Sequence, residues 1–74
     1  MVINVHLQGS LKGTYPNGRY EPDDVESIQD LLVYFECEKC SQMIYLNGHF
    51  VKDRRGTKLR EGDNVEIVGL AMGG

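Results

Sequence analysis

The sequence is poor in three residue types that often announce function: it has two cysteines, two histidines and two prolines. One pair of thiols, Cys37 and Cys40, is too few for the disulfide framework of a small secreted domain and suits a reducing compartment. Stability therefore has to come from packing. His6 and His49 fall on segments well away from the cysteines, so a four-ligand zinc centre is not expected and no metal site is assigned. No catalytic Ser-His-Asp or Cys-His-Asn grouping stands out either.

Long apolar runs are also missing. Nothing approaches the roughly 18 uninterrupted apolar residues of a membrane-spanning helix, and the opening MVINVHLQ lacks a charged leader followed by an apolar core. The chain is expected to be soluble and cytoplasmic, without a membrane partner. Basic residues are in the minority, eight against eleven acidic, for a net charge of -3 and a pI near 5.2. That balance disfavours nucleic acid and favours a partner with a basic surface. At 74 residues there is room for one core only.

What is present is patterned. Residues 3–7 alternate, with Ile3, Val5 and Leu7 on one side and Asn4 and His6 on the other, the period of a half-buried strand. Pro16-Asn17-Gly18 is turn chemistry leading into a short second strand over 19–21. Pro22 and Asp23, with Glu26 three residues on, predict a helix start capped by Asp23. Val25, Ile28, Leu31, Leu32 and Phe35 then recur at helical spacing, and the helix should end near Glu36. Residues 43–46 form an apolar run, read as a central strand buried on both sides, turning at Asn47-Gly48 into a strand over 49–52. Val65 and Ile67 alternate with polar neighbours in a last strand over 64–68.

The expected architecture is α+β: one helix covering one face of a mixed sheet of four or five strands, with residues 1–68 as the domain and 69–74 as a flexible tail. A single helix leaves the other face of the sheet uncovered. Of the run 43–46, Ile44 and Leu46 are the better core formers, which sends Met43 and Tyr45 outward, with Val68, Phe50 and His6 nearby. Lys52, Arg54, Arg55, Lys58 and Arg60 gather positive charge before the last strand, and the helix is acidic. These charges can orient a partner or form a solvated surface.

The element order, the LNGHFV hairpin, the LREGDNVEIVGLAMGG ending and the overall length together resemble the ubiquitin-like β-grasp sulfur carriers. That family includes the small subunit of molybdopterin synthase and the thiamine sulfur carrier. The resemblance spans the chain in outline and is most specific at Asn47-Gly48, Leu59, Gly62-Asp63, Val65, Ile67 and Gly73-Gly74. Two features depart from the pattern: the Cys37-Glu38-Lys39-Cys40 segment, and Leu70-Ala71-Met72 in place of a proline-containing tail. At this glycine content a Gly-Gly ending arises by chance about 1 to 2% of the time.

The resemblance implies that the Gly74 carboxylate, ionised and inert at neutral pH, is condensed with ATP by an activating enzyme. Sulfur from a persulfide donor would then displace AMP and leave a thiocarboxylate. The chain would be a carrier rather than a catalyst, holding no resident cofactor and passing only through covalent acyl-AMP and thiocarboxylate forms. Gly73 and Gly74 suit a narrow partner channel in which a Cβ would collide. Met72 and Leu70 are candidate contacts there, although Leu70 could equally fold back on its own sheet. Val68, Tyr45, Met43 and Phe50 are candidate docking residues.

The implied partners are the activating enzyme, the sulfur donor, and a synthase large subunit or a thiazole synthase, the chain being monomeric when free. A molybdenum or tungsten pterin precursor is the preferred acceptor and the thiazole of thiamine the next. A protein modifier conjugated through Gly74 and a non-transferring β-grasp module are the rival readings. Cys37 and Cys40 are a candidate redox pair, with half a zinc site, a sulfur relay and incidental cysteines as the alternatives.

Overall fold

A computed structural model describes residues 1–70 of the chain. Five strands and one helix follow one another as β1 (Ile3–Gly9), β2 (Gly18–Tyr20), α1 (Ile28–Tyr34), β3 (Gln42–Leu46), β4 (His49–Phe50) and β5 (Asn64–Gly69). They form a single mixed sheet in the order β2-β1-β5-β3-β4. β1 and β5 run parallel at its centre, and the remaining pairs are antiparallel. This is the β-grasp arrangement of the ubiquitin-like fold, with α1 packed across one face.

Alternation along the strands divides the side chains between two faces. Ile3, Val5, Ile44, Val65 and Ile67 have no exposed surface and meet Ile28, Leu31 and Leu32 of the helix, equally buried. Leu11, Val25, Val51 and Leu59 close the margins of this core from loops. Ile44 and Leu46 face inward, paired with Ile67 and Val65.

The helix begins later than the sequence predicts. Its N-cap is Ser27, in extended conformation, whose hydroxyl accepts the Asp30 amide while the Asp30 carboxylate accepts the Ser27 amide. The box Ser27-x-x-Asp30 thus does what was expected of Asp23 and Glu26. Those residues cannot be helical: Asp24 has φ of 60°, and the Glu26 carbonyl accepts from the Leu59 amide at 2.8 Å. Val25 is buried from a loop rather than from the helix face.

The far end closes as a Schellman turn. The Cys37 amide donates to the Leu32 carbonyl and the Glu36 amide to that of Val33, with Glu36 left-handed at φ 57° where glycine is usual. The Glu36 carboxylate offsets that conformation by accepting from the Tyr15 hydroxyl at 2.9 Å. It thereby pins the first hairpin to the helix end.

Three boundaries also move. The centre of the sheet is β5 and not 43–46: β5 is the middle strand of the five, and β3, although paired on both sides, lies between it and the edge strand β4. β4 is two residues long instead of four, since Val51 turns under into the core. β5 runs through Gly69, one residue past the expected end of the last strand at 68. The expected tail residues 71–74, Met72, Gly73 and Gly74 among them, lie outside the described residues.

Candidate functional site

The last described residues leave the sheet from its middle. Gly69 pairs with Gly9 on one side and Gln42 on the other. Its carbonyl accepts the Ser10 amide at 3.0 Å, and the Leu70 amide donates to the Ser41 carbonyl at 2.9 Å. The chain is therefore held between β1 and β3 up to the point where the tail begins.

Glycine is required on both sides of that exit. Gly9 has φ of +66°, and a Cβ there would strike the Gly69 carbonyl; a Cβ on Gly69 would lie 2.7 Å from Leu11 Cγ and 2.9 Å from the Leu11 amide nitrogen. Sequence reasoning missed this pair, treating Gly9 as the start of a loop and Gly69 as the start of the tail. The only local signal was a glycine at the end of each of two predicted strands; their contact follows from the parallel register of β1 on β5.

Beside the exit, on the face without the helix, the strand registers bring the candidate docking residues together. Met43 is opposite Val68, and Tyr45 lies between Glu66 and Phe50. Tyr45 and Phe50 stack edge to face with ring centroids 5.7 Å apart. Met43, Tyr45 and Val68 are half-buried, while Phe50 is 51% and Leu70 42% exposed. Leu70 follows Gly69 with its backbone tied to Ser41 and its side chain in solvent. The apolar patch thus runs from β4 across β3 to the end of β5.

Across β1 the same face turns polar, with His6 beside Glu66, and Gln8 donating to Glu66 Oε2 at 3.3 Å. Neither histidine joins a metal cluster: among the described residues no three His, Cys, Asp or Glu side chains stand close enough to share an ion.

The loop before β5 is less free than its charges suggest. The Arg54 guanidinium donates to the carbonyl and to the side-chain oxygen of Gln42, at 2.6 and 2.8 Å. Gln42, buried, passes the contact on to the Cys37 carbonyl at 2.6 Å. Arg54 is thus a strut behind β3, leaving Lys52, Arg55, Lys58 and Arg60 as the exposed positive charges of that segment.

Cys37 and Cys40 are both free thiols, the first buried and the second exposed. Burial, reinforced by the nearby Cys40 and Glu38, pushes the Cys37 thiol above its ordinary pKa.

A five-stranded mixed sheet with its final strand at the centre and one helix across one face defines the class of ubiquitin-like β-grasp domains. The model of the ThiS family matches residues 10–74, and the chain belongs to that family. It is therefore a small sulfur carrier of cofactor biosynthesis. Among solved structures, a chain of the complex of subunits 1 and 2 of molybdopterin-converting factor from Helicobacter pylori 26695 is similar, with a TM-score of 0.66, 21% identity and 100% of each chain covered. That likeness shows the shared fold. No curated protein matches the sequence.

Proposed function

We propose that Gly74 is adenylated by an ATP-dependent activating enzyme, that the terminal sulfur of a donor persulfide displaces AMP to give an acyl disulfide, that a second thiol cleaves this to the thiocarboxylate and leaves with the donor sulfur as a disulfide, and that the thiocarboxylate is then offered to a synthase that builds a sulfur-containing cofactor. A molybdenum or tungsten pterin precursor is the favoured acceptor. The similar Helicobacter pylori chain comes from a molybdopterin-converting factor complex of two subunits, which supports a large synthase subunit as the docking partner. The thiazole of thiamine is the second acceptor.

The observation that carries the reading is the exit of β5. Its last residues are clamped by Ser10 and Ser41, so a partner gripping the patch of Met43, Tyr45, Phe50 and Val68 receives the chain end from a fixed origin. Preorganisation of this kind lowers the ordering cost of docking. Four residues follow Leu70, enough to reach about 13 Å into a partner at roughly 3.3 Å per residue. The carrier supplies the origin and the grip, and the partner supplies the chemistry.

The test is intact mass spectrometry of the protein incubated with ATP, an activating enzyme of this class and a sulfur source. Replacement of one oxygen by sulfur at Gly74 is expected, followed by loss of that sulfur to a pterin precursor supplied with a large subunit. Transfer to a thiazole precursor alone would select the second acceptor. Isopeptide-linked products that vanish on deletion of Gly73-Gly74 would favour a protein modifier. Full function after Gly74→Ala would replace the proposal with a non-transferring module.

A further inference from the structure

The cysteine segment is left unused by this reading, yet the two residues that follow it, Ser41 and Gln42, are bonded to Leu70 and paired with Gly69. Residues 37–40 form a hydrogen-bonded turn in which the Cys40 amide donates to the Cys37 carbonyl at 3.1 Å. Such a turn holds its first and fourth Cα atoms within about 7 Å, and a disulfide needs roughly 4.4 to 6.8 Å. The two thiols differ in access: Cys37 is only 2% exposed, whereas Cys40 faces solvent. Ser41, the next residue, accepts the Leu70 amide, and Gln42 both pairs with Gly69 and donates to the Cys37 carbonyl.

We propose that Cys37 and Cys40 form a dithiol–disulfide couple, with Cys40 as the entry thiol and Cys37 as the resolving thiol, whose oxidation state is felt where the tail leaves the sheet. The oxidant is a disulfide of a small thiol. The Cys40 thiolate attacks one sulfur of that disulfide, breaking its S–S bond and releasing one thiolate. The Cys37 thiolate then attacks Cys40 Sγ in the mixed disulfide, forming the internal bond and releasing the second thiolate. Two electrons pass from the cysteines to the oxidant, and their two protons end on the two released thiols.

The asymmetry assigns the roles. A buried thiol is shielded from an external disulfide, while a neighbour three residues away reaches it intramolecularly at high effective concentration. Cys37 also occupies the apolar position after the Schellman turn, packed near Leu32. Drawing its sulfur toward Cys40 strains the turn whose Cys37 carbonyl holds the side chain of Gln42, the residue paired with Gly69. The proposal is independent of the fate of Gly74.

The experiment incubates the reduced, folded protein with oxidised glutathione and reads intact mass. The expected product is loss of two hydrogens without a retained adduct, with peptide mapping placing the bond between Cys37 and Cys40. Cys40→Ser should react with neither outcome, and Cys37→Ala should keep a stable glutathione adduct on Cys40. The wild-type mapping decides the matter even if the Cys37 variant folds poorly. A wild-type protein that accumulates the adduct, or only intermolecular dimers, overturns the couple. Amide exchange at Leu70 should change several-fold between the reduced and oxidised forms. Equal exchange in the two forms overturns the link to the tail.

Discussion

The two faces of this sheet are built by the same strands and have opposite characters. Under the helix, Ile3, Val5, Ile44, Val65 and Ile67 are completely covered. One residue along each strand, the side chains are Asn4, His6, Met43, Tyr45, Glu66 and Val68, and no element of the described chain covers them. The covered face is uniform and its work is cohesion. The open face is divided, polar over β1 and apolar over β3, β4 and the end of β5. Small domains have little apolar surface to spare, and the apolar half of the open face, placed beside the end of β5, is the surface on which the proposed docking rests.

Exchanging one covered and one open residue for alanine gives the largest test of that contrast. Ile67→Ala or Ile44→Ala removes a fully buried side chain and should cost about 3 to 4 kcal/mol in urea denaturation, most of the stability of a domain this size. Tyr45→Ala on the open face loses its stacking on Phe50 and should cost about 1 kcal/mol or less. Together with Met43→Ala it should nonetheless slow sulfur loading of Gly74 by tenfold or more, the scale of about 1.4 kcal/mol of lost docking energy. A double variant with unaltered loading would strip the open face of its role.

Next in size is the glycine pair where the two faces end. Gly9→Ala places a Cβ against the Gly69 carbonyl at a positive φ, combining backbone strain with overpacking for a loss of about 3 kcal/mol. Gly69→Ala meets Leu11 instead and should cost about 2 kcal/mol. Because it re-aims the strand end, it should also slow loading more than an open-face variant of equal stability does. A Gly69→Ala protein that keeps wild-type stability and loading would show that the exit is not a fixed origin.

How much of this was legible in the sequence follows the same division. The covered face could be read directly: period-two alternation over 3–7 and 64–68 and helical spacing from Ile28 to Phe35 are local signals of burial. So could the Asn47-Gly48 turn, both residues of which have positive φ, at 50° and 85°. Less legible was what depends on contacts distant in sequence. Asp23 is as good a cap as Ser27 by composition, and only the pairing of residues 26–28 with residues 57–59 decides between them. Asn47 was read as a turn residue, yet its side chain also accepts the Asn64 amide and donates to Asp63, at 2.9 and 3.0 Å. Arg54 looked like one charge among five, and its burial against Gln42 follows from the position of β3. For the candidate site, strand parity sufficed to group Met43, Tyr45 and Val68, but the Gly9–Gly69 contact needed the parallel register of β1 on β5.

The helix cap offers a smaller perturbation, away from both faces. Ser27→Ala removes the hydroxyl that accepts the Asp30 amide and should cost about 1 kcal/mol in stability. It should leave sulfur loading unchanged, because the cap lies on the helix side. A loading defect larger than the stability loss explains would mean that the helix side also contacts a partner.

The smallest effect is on pH, and it too separates regions, since the covered sheet face carries no titratable group. The Asp30 carboxylate accepts the amides of Glu26 and Ser27, and these bonds hold it below its ordinary value of 3.8. A lowered value means that the ionised form favours folding. Its contribution is complete above 3.8 and is lost as pH falls through the depressed folded value. Cys37 has the opposite sign: burial raises it above 9.0, so its contribution is complete below 9.0 and is lost as pH climbs through the raised folded value. Between these limits the two groups leave stability flat. Urea midpoints measured across pH should therefore fall at both extremes, with Asp30→Asn flattening the acid limb and Cys37→Ala the alkaline limb. An acid limb that survives Asp30→Asn unchanged would move the acid-sensitive point away from the helix cap.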